Sequence, residues 1–277
     1  MFTPKVLRQK GYRITRLIGE GSFSKVKLAR SQTRGSEVAI KIVNGNLISP
    51  DVATRFLPRE LELLNIISHE NIVRVFEIIE SHNGKVYIAM EPAASDLLQR
   101  INEVGRMSVD ESRTIFTQTV NAVRYLHQNN IVHRDLKCEN MLLMSDGRVK
   151  ITHFGFGRFS MGYPDLSSTY CGTLAYAPPE VVKGIPNDPQ KHDVWSMGVI
   201  LYFMVAGCQP YDDSSPDRLI EAQGKPVVYP DDLLLPASCQ ASISYLLHYA
   251  PSTRPRIQQV AQHSWLQQAA ENNNEAQ

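Results

Sequence analysis

Val132-His133-Arg134-Asp135-Leu136-Lys137-Cys138-Glu139-Asn140 constrains this chain more tightly than any other run of its 277 residues. A carboxylate, Asp135, stands between two cations, Arg134 and Lys137, and an amide, Asn140, closes the run. Asp135 suits the task of taking a proton from a substrate hydroxyl, Lys137 that of steadying a phosphoryl group in transfer, and Asn140 that of offering a neutral oxygen to a metal ion. Arg134 presents a fork that a phosphorylated loop can dock on. Taken alone, His133-Arg134-Asp135 also describes a turn with a local ion pair. The surroundings decide between the two: His153-Phe154-Gly155 follows, and then Gly172-Thr173-Leu174-Ala175-Tyr176-Ala177-Pro178-Pro179-Glu180.

Upstream, Gly19-Glu20-Gly21-Ser22-Phe23-Ser24-Lys25-Val26 is a glycine-rich turn with Ser24 where a third glycine is expected. Small residues let backbone N–H groups approach phosphate oxygens, and Val26 is placed to cover a base. A tight hairpin explains two glycines as well. A dinucleotide site, and with it an oxidoreductase, is excluded because that fingerprint needs a helix after the glycines and a strand pattern follows here. Lys41 ends Val38-Ala39-Ile40-Lys41, where a cation reaches α and β phosphates, although a strand lysine is ordinarily just solvated. Glu60 supplies a carboxylate to orient it. Asp193 is expected to anchor the backbone of residues 132–140, and Arg254 to pair with Glu180.

Residues 12–18, 25–29 and 37–43 alternate as strands of an antiparallel meander. From 56 to 67 the apolar spacing becomes helical, with Pro58 confined to the first turn, where its missing N–H costs least. Strands are expected at 72–79 and 86–90, and helices at 109–128, 191–206 and 237–249. Strands first and helices afterwards predict an α+β protein of two lobes joined near residue 92. The division is an N-terminal extension at 1–11, a small lobe at 12–91, a large lobe at 92–268 and a disordered tail at 269–277.

Hydrophobic residues make up 43% and charged residues 21% of the chain, and 29 Lys and Arg nearly balance 28 Asp and Glu. That balance gives no reason to expect nucleic acid or a membrane surface as partner. No signal core or myristoylation pattern opens the chain, and the greasiest run, 197–206, is about half of a membrane span. Cys138, Cys171, Cys208 and Cys239 show no framework spacing, which points to reduced thiols in the cytoplasm, with the nucleus as a second location. Cys171 reads as a packing residue, with redox sensitivity as the alternative.

Residues 12–266 resemble the eukaryotic protein kinases, and Lys137 in His-Arg-Asp-Leu-Lys-x-x-Asn resembles their serine/threonine type. Residues 56–61, the Lys-Cys-Glu-Asn at 137–140, Phe154-Gly155-Phe156-Gly157-Arg158, the run from Tyr163 to Gly172 and Gly184-Ile185-Pro186-Asn187-Asp188-Pro189 are similar to the testis-specific serine/threonine kinases, compact enzymes of developing male germ cells. The resemblance implies the two-lobed kinase fold and transfer of the γ-phosphoryl group of ATP to protein Ser or Thr hydroxyls. Asp135, Lys137, Lys41 and Glu60 are then the catalytic set. Ile18, Gly19, Glu20, Gly21, Ser22, Phe23, Ser24, Val26, Ala39, Lys41 and Asn140 surround the nucleotide, with Met90 as gatekeeper and Glu91 to Ala93 as the hinge. Thr169 is the expected phosphorylation site, read by Arg134. Asp96 and Glu139 imply substrates with basic residues before the acceptor, and the chain is expected to act as a monomer.

Two departures from the family pattern are mild: Ser24, and Pro178 where an Ala is usual. The third is not. His153 stands where the family places the Asp that holds Mg2+. Magnesium wants oxygen ligands, whereas imidazole offers a nitrogen and no negative charge. Losing such a contact costs on the order of a hundredfold to several-thousandfold in rate. Mn2+ tolerates nitrogen better and is the alternative metal. The competing reading of the whole chain is a pseudokinase, a nucleotide-binding or scaffolding module.

Overall fold

A computed structural model describes residues 2–21, 24–47, 54, 56–169 and 171–267. Ser22 and Phe23 of the glycine-rich turn and the expected tail at 269–277 lie outside the described residues. The chain opens with a short helix, α1 (Lys5–Gln9), followed by β1 (Tyr12–Glu20), β2 (Ser24–Ser31) and β3 (Ser36–Asn44). After α2 (Leu57–Ile66) come β4 (Val75–Glu80) and β5 (Lys85–Met90). The five strands form one antiparallel sheet in the order β1-β2-β3-β5-β4.

Alternation along β3 builds both faces of this sheet, since successive side chains point to opposite sides. Val38 and Ile40 pack with Leu7 of α1, Tyr12 and Ile14, whereas Ala39 and Val43 pack with Ile88 and Met90 beneath α2. Residues before Tyr12 are therefore part of the small lobe: Leu7 is buried, and Thr3 Oγ1 accepts from the Ile14 backbone N–H at 3.1 Å. Pro58 lies in the first turn of α2, the position that its ring tolerates. The strand expected at 72–79 starts later. The backbone of Ile72 and Val73 is diverted to Ile151 of the large lobe, and β4 begins only at Val75.

The large lobe continues through β6 (Ser95–Asp96), α3 (Leu97–Val104), α4 (Val109–Gln128), β7 (Ile131–Val132), β8 (Met141–Leu143), β9 (Val149–Ile151) and β10 (Arg158–Phe159). It ends with α5 (Pro179–Val182), α6 (Pro189–Ala206), α7 (Pro216–Gln223), α8 (Ala237–Leu246) and α9 (Ile257–Ala261). The short strands pair as β6-β8-β9 and β10-β7, so the segments on either side of residues 132–140 are tied into sheets. Helix α6 is buried on all sides from His192 to Ala206 and largely apolar, the axis of the large core. Gly198 lets α8 approach it, because a Cβ there would sit 2.8 Å from the Leu246 side chain. Helix α6 begins two residues earlier than the 191 expected, capped by Asp188, whose carboxylate accepts from Gln190 N at 2.9 Å. Helix α8 stops at Leu246 instead of reaching 249. Among the described residues no helix is long and apolar enough to cross a membrane.

Candidate active site

Lys41 lies on β3 opposite Val26 of β2 and Ile88 of β5, on the sheet face that looks toward α2. On α2, Glu60 and Leu63 are buried on one side of the helix, as an i, i+3 pair must be. Lys41 Nζ donates to Glu60 Oε1 at 2.6 Å. Burial would raise the Glu60 carboxyl, but the Lys41 charge and the nearby His153 hold it below its ordinary value. A narrow cavity behind Met90 is lined by Lys41, Glu60, Met90, Thr152 and His153, so residues from both lobes meet in one cleft.

Below that cleft Asp193 fixes the loop that follows β7. It does so from within α6, with both carboxylate oxygens in use: Oδ2 accepts from His133 N at 3.0 Å and His127 Nε2 at 2.9 Å, and Oδ1 from Arg134 N at 2.7 Å. Burial opposes ionisation there, yet the hydrogen bonds and the histidines hold the Asp193 carboxyl below the usual range. His133 is locked in turn. Its Nδ1 accepts from Asp135 N at 3.2 Å and its Nε2 donates to the Thr152 carbonyl at 2.9 Å, so the ring is neutral, as its burial favours. The His133 ring also packs edge-on to Phe154, which is fully buried, with centroids 4.9 Å apart.

Asp135 is the most heavily engaged group of the site. Thr173 Oγ1 donates to its Oδ1 at 3.1 Å, Asn140 Nδ2 to its Oδ2 at 3.2 Å and to its carbonyl at 2.8 Å, and Lys137 Nζ lies 3.7 Å from Oδ2. Lys137 also donates to Thr173 Oγ1 at 2.8 Å, which makes Thr173 a bridge that the sequence analysis assigned no role. Gly172 brings that bridge close: its φ is +97°, and a Cβ would stand 2.7 Å from the Arg134 carbonyl. His153, itself at a φ of +66°, places Nδ1 3.4 Å from Asp135 Oδ2. Burial would raise the Asp135 carboxyl, and the contact from His153 with the charge of Lys137 instead lowers it.

These contacts decide whether the donors suit a magnesium ion. Imidazole offers a single nitrogen lone pair and no negative charge, and the His153 nitrogen that faces Asp135 already stands against a carboxylate at 3.4 Å. Asn140 turns its amide nitrogen to Asp135, which leaves one neutral oxygen. Magnesium sites ordinarily use one or two carboxylates besides phosphate oxygens. Among the described residues no group of three or more His, Cys, Asp or Glu stands together as a metal site. Asn140 and His153, the residues expected as ligands, do not make a donor set that fits Mg2+.

In the glycine-rich turn, Glu20 pairs with Lys25 at 2.7 Å and Gly21 N donates to the Ser24 carbonyl at 2.8 Å, which closes a tight hairpin. Gly19 sits opposite Val26 in the register, Ala39 and Met90 are buried neighbours across β3 and β5, and Ile18 is exposed. Ala93 is half-buried. The side chain of Glu91, the first residue of the expected hinge, is held in place: Oε1 meets Lys150 Nζ at 2.8 Å and accepts from Arg74 N at 2.6 Å. Asp96 caps α3 through Gln99 N at 2.9 Å, and Glu139 is exposed.

Arg134 is directed at Ser167, not at Thr169. Its Nη1 donates to Ser167 Oγ at 3.1 Å and its Nε to the Phe156 carbonyl at 2.8 Å. Thr169 is exposed, and its backbone N–H donates to Ser167 Oγ at 3.3 Å. Arg158 pairs with Asp165 at 3.3 Å, and Ser167 and Asn187 exchange backbone hydrogen bonds, so residues 158–167 are tied down. Further on, Arg254, 1% exposed, grips Glu180 with two bonds of 2.7 and 3.0 Å and lies over the Trp195 ring. Cys138 and Cys171 are buried, with burial pushing the Cys138 thiol up to about 12 and the Cys171 thiol upward, which makes both poor nucleophiles.

A small antiparallel lobe over a helical one, with a lysine–glutamate pair facing a buried aspartate, defines a phosphotransferase cleft. The chain belongs to the protein kinase family, whose protein kinase domain model matches residues 12–266. It is 42% identical over 268 residues to testis-specific serine/threonine-protein kinase 2 of Mus musculus, covering 95% of this chain and 75% of that protein. It is also 40% identical over 262 residues to testis-specific serine/threonine-protein kinase 3 of Homo sapiens, covering 94% of this chain and 97% of that one.

Proposed function

We propose that the chain is a serine/threonine protein kinase that transfers the γ-phosphoryl group of ATP to Ser or Thr hydroxyls of protein substrates. One observation carries the reading: Asp135, whose carboxyl is held below its ordinary value and is ionised at neutral pH, shares Thr173 with Lys137 and lies 3.4 Å from His153, which lines one cavity with Lys41 and Glu60. An acceptor hydroxyl beside Asp135 gives up its proton to that carboxylate as its oxygen bonds to phosphorus. The bond from phosphorus to the oxygen shared with ADP breaks, and ADP leaves with the electron pair. Lys137 stands beside the group in transfer, and Lys41, held by Glu60, meets the α and β phosphates. The names of the relatives support serine and threonine as acceptors.

Protein kinases generally use ATP with Mg2+. The ring at position 153 lowers the rate, by about 10²–10³-fold relative to a carboxylate there, on the scale of a lost transition-state contact. Exposed Glu139, with Asp96, is assigned the basic residues of the substrate, and exposed Thr169 an activating phosphate that would draw on Arg134. The four free cysteines support a cytoplasmic or nuclear setting. A second reading, a nucleotide-binding scaffold, is favoured by the imidazole of His153, which stands 3.4 Å from Asp135 Oδ2 in place of the expected metal-holding carboxylate. Turnover separates them. Incubation with ATP and a degenerate peptide library, read by mass spectrometry, is expected to give phosphoserine and phosphothreonine downstream of Arg or Lys. A library left as unmodified as with Asp135→Asn refutes the kinase reading.

A further inference from the structure

We propose that this cleft binds ATP without a divalent cation, and that the exchange of a carboxylate for His153 is what removes the requirement. The inference rests on the nucleotide-binding part of the proposed function and adds how the triphosphate charge is met. Two lysines and two carboxylates face the phosphate region: Lys41 with Glu60, and Lys137 with Asp135. Their charges cancel. A carboxylate at position 153 would add an uncompensated negative charge beside a polyanion, a repulsion that a bound cation has to relieve. The imidazole adds none.

The ring is also spoken for. Its Nδ1 faces Asp135 at 3.4 Å, and a Cβ on the neighbouring Gly155 would stand 3.1 Å from its Nε2 and 3.8 Å from Glu60 Oε2. His153 thus stands against Asp135 and lines the same cavity as Glu60. Asn140 cannot compensate, because its amide nitrogen is bonded to Asp135 and a single neutral oxygen remains. Against that weak metal site stand two well-held point charges. Lys41 is fixed by Glu60 at 2.6 Å and Lys137 by Thr173 at 2.8 Å, each with further protons for phosphate oxygens.

Calorimetric titration of the full chain with ATP in EDTA, in Mg2+ and in Mn2+ tests this. The expected dissociation constant in EDTA is within about threefold of that in either metal, a difference of under 1 kcal/mol. His153→Asp is expected to weaken ATP binding in EDTA by about tenfold or more and to regain it in Mg2+. His153→Asn, which removes the ring without adding charge, keeps metal-free binding. Should the Asp variant fail to melt cooperatively, the wild-type and Asn titrations still decide. Wild-type binding that strengthens about tenfold or more on adding Mg2+ or Mn2+ overturns the inference and leaves ATP recognition standing. Loss of EDTA binding in His153→Asn overturns the charge argument. No binding in any buffer, by protein that melts cooperatively, overturns the nucleotide reading itself.

Discussion

Glu60 and Asp135 are buried carboxylates on opposite sides of one cleft, and they are furnished differently. Glu60 has the partner that its fold expects, a lysine at 2.6 Å on the facing strand. Asp135 has an imidazole at 3.4 Å where the family resemblance leads one to expect a second carboxylate. The small-lobe half of the site therefore has its lysine and its carboxylate paired. The large-lobe half has Asp135 beside Lys137, and an imidazole where the family resemblance places a second carboxylate. The two halves are separately supported, the first by α2 packing against the sheet, the second by Asp193 from the buried helix α6. A substitution in the one half can thus leave the other in place, and that independence is open to attack.

The heaviest blow falls on the large-lobe support. Asp193→Ala strips acceptors from His127, His133 N and Arg134 N at once, and unfolding in urea should show a loss of about 3–5 kcal/mol, the scale for breaking a buried charged network. A loss below about 1 kcal/mol, the worth of one ordinary hydrogen bond, would mean that the loop holds itself. On the other side, Lys41→Met leaves Glu60 buried without its cation. Transfer should drop about a hundredfold or more, as when a single electrostatic contact is removed. An unchanged rate would remove Lys41 from the phosphate site.

Acidity discriminates between the halves more gently. His192, next to Asp193 in α6, is buried and its pKa is lowered to about 4 from an ordinary 6.5. It is neutral in the fold, so its contribution is complete above pH 6.5 and is lost as the pH falls toward 4. Between pH 6.5 and 5 the unfolding free energy should fall by about 1–2 kcal/mol, given about 1.4 kcal/mol per unit. His192→Asn should flatten that slope, and a parallel slope in the variant would place the titration elsewhere. The smallest effect concerns the segment beside Arg134. Ser167→Ala removes a buried acceptor and should cost about 1 kcal/mol, whereas exposed Thr169→Ala should stay within about 0.5 kcal/mol of wild type in the unphosphorylated protein. Equal costs would erase the distinction between the two hydroxyls.

Much of this was open to reading from the chain alone, and what was hidden has a physical pattern. Runs whose chemistry is local were plain: the hairpin at Gly19 to Val26, the helix 109–128, and the loop around Asp135. The pairs Lys41–Glu60 and Arg254–Glu180 were found because each residue sits in a recognisable frame. Contacts made by residues distant in the chain without such a frame were invisible. Nothing in the spacing says that Glu91 will spend its side chain on Lys150, that Thr173 will bridge Lys137 and Asp135, or that Ser167 rather than Thr169 returns to Arg134. Helix α3 carried a signal that went unused, with Leu97, Ile101 and Val104 on one face after the capping Asp96. The meaning of His153 was half visible. Its departure stood out in the sequence, whereas its contact with Asp135 needed the backbone to turn through a positive φ.

Side-by-side rates of γ-phosphoryl transfer from labelled ATP to a generic serine peptide in Mg2+, for the wild type, Asp135→Asn and His153→Asp, test the central claim most directly. The account predicts three separated rates, with the wild type at least about tenfold above Asp135→Asn and at least about tenfold below His153→Asp. A wild type no faster than Asp135→Asn would show that the cleft does not turn over, and one as fast as His153→Asp that the ring costs nothing.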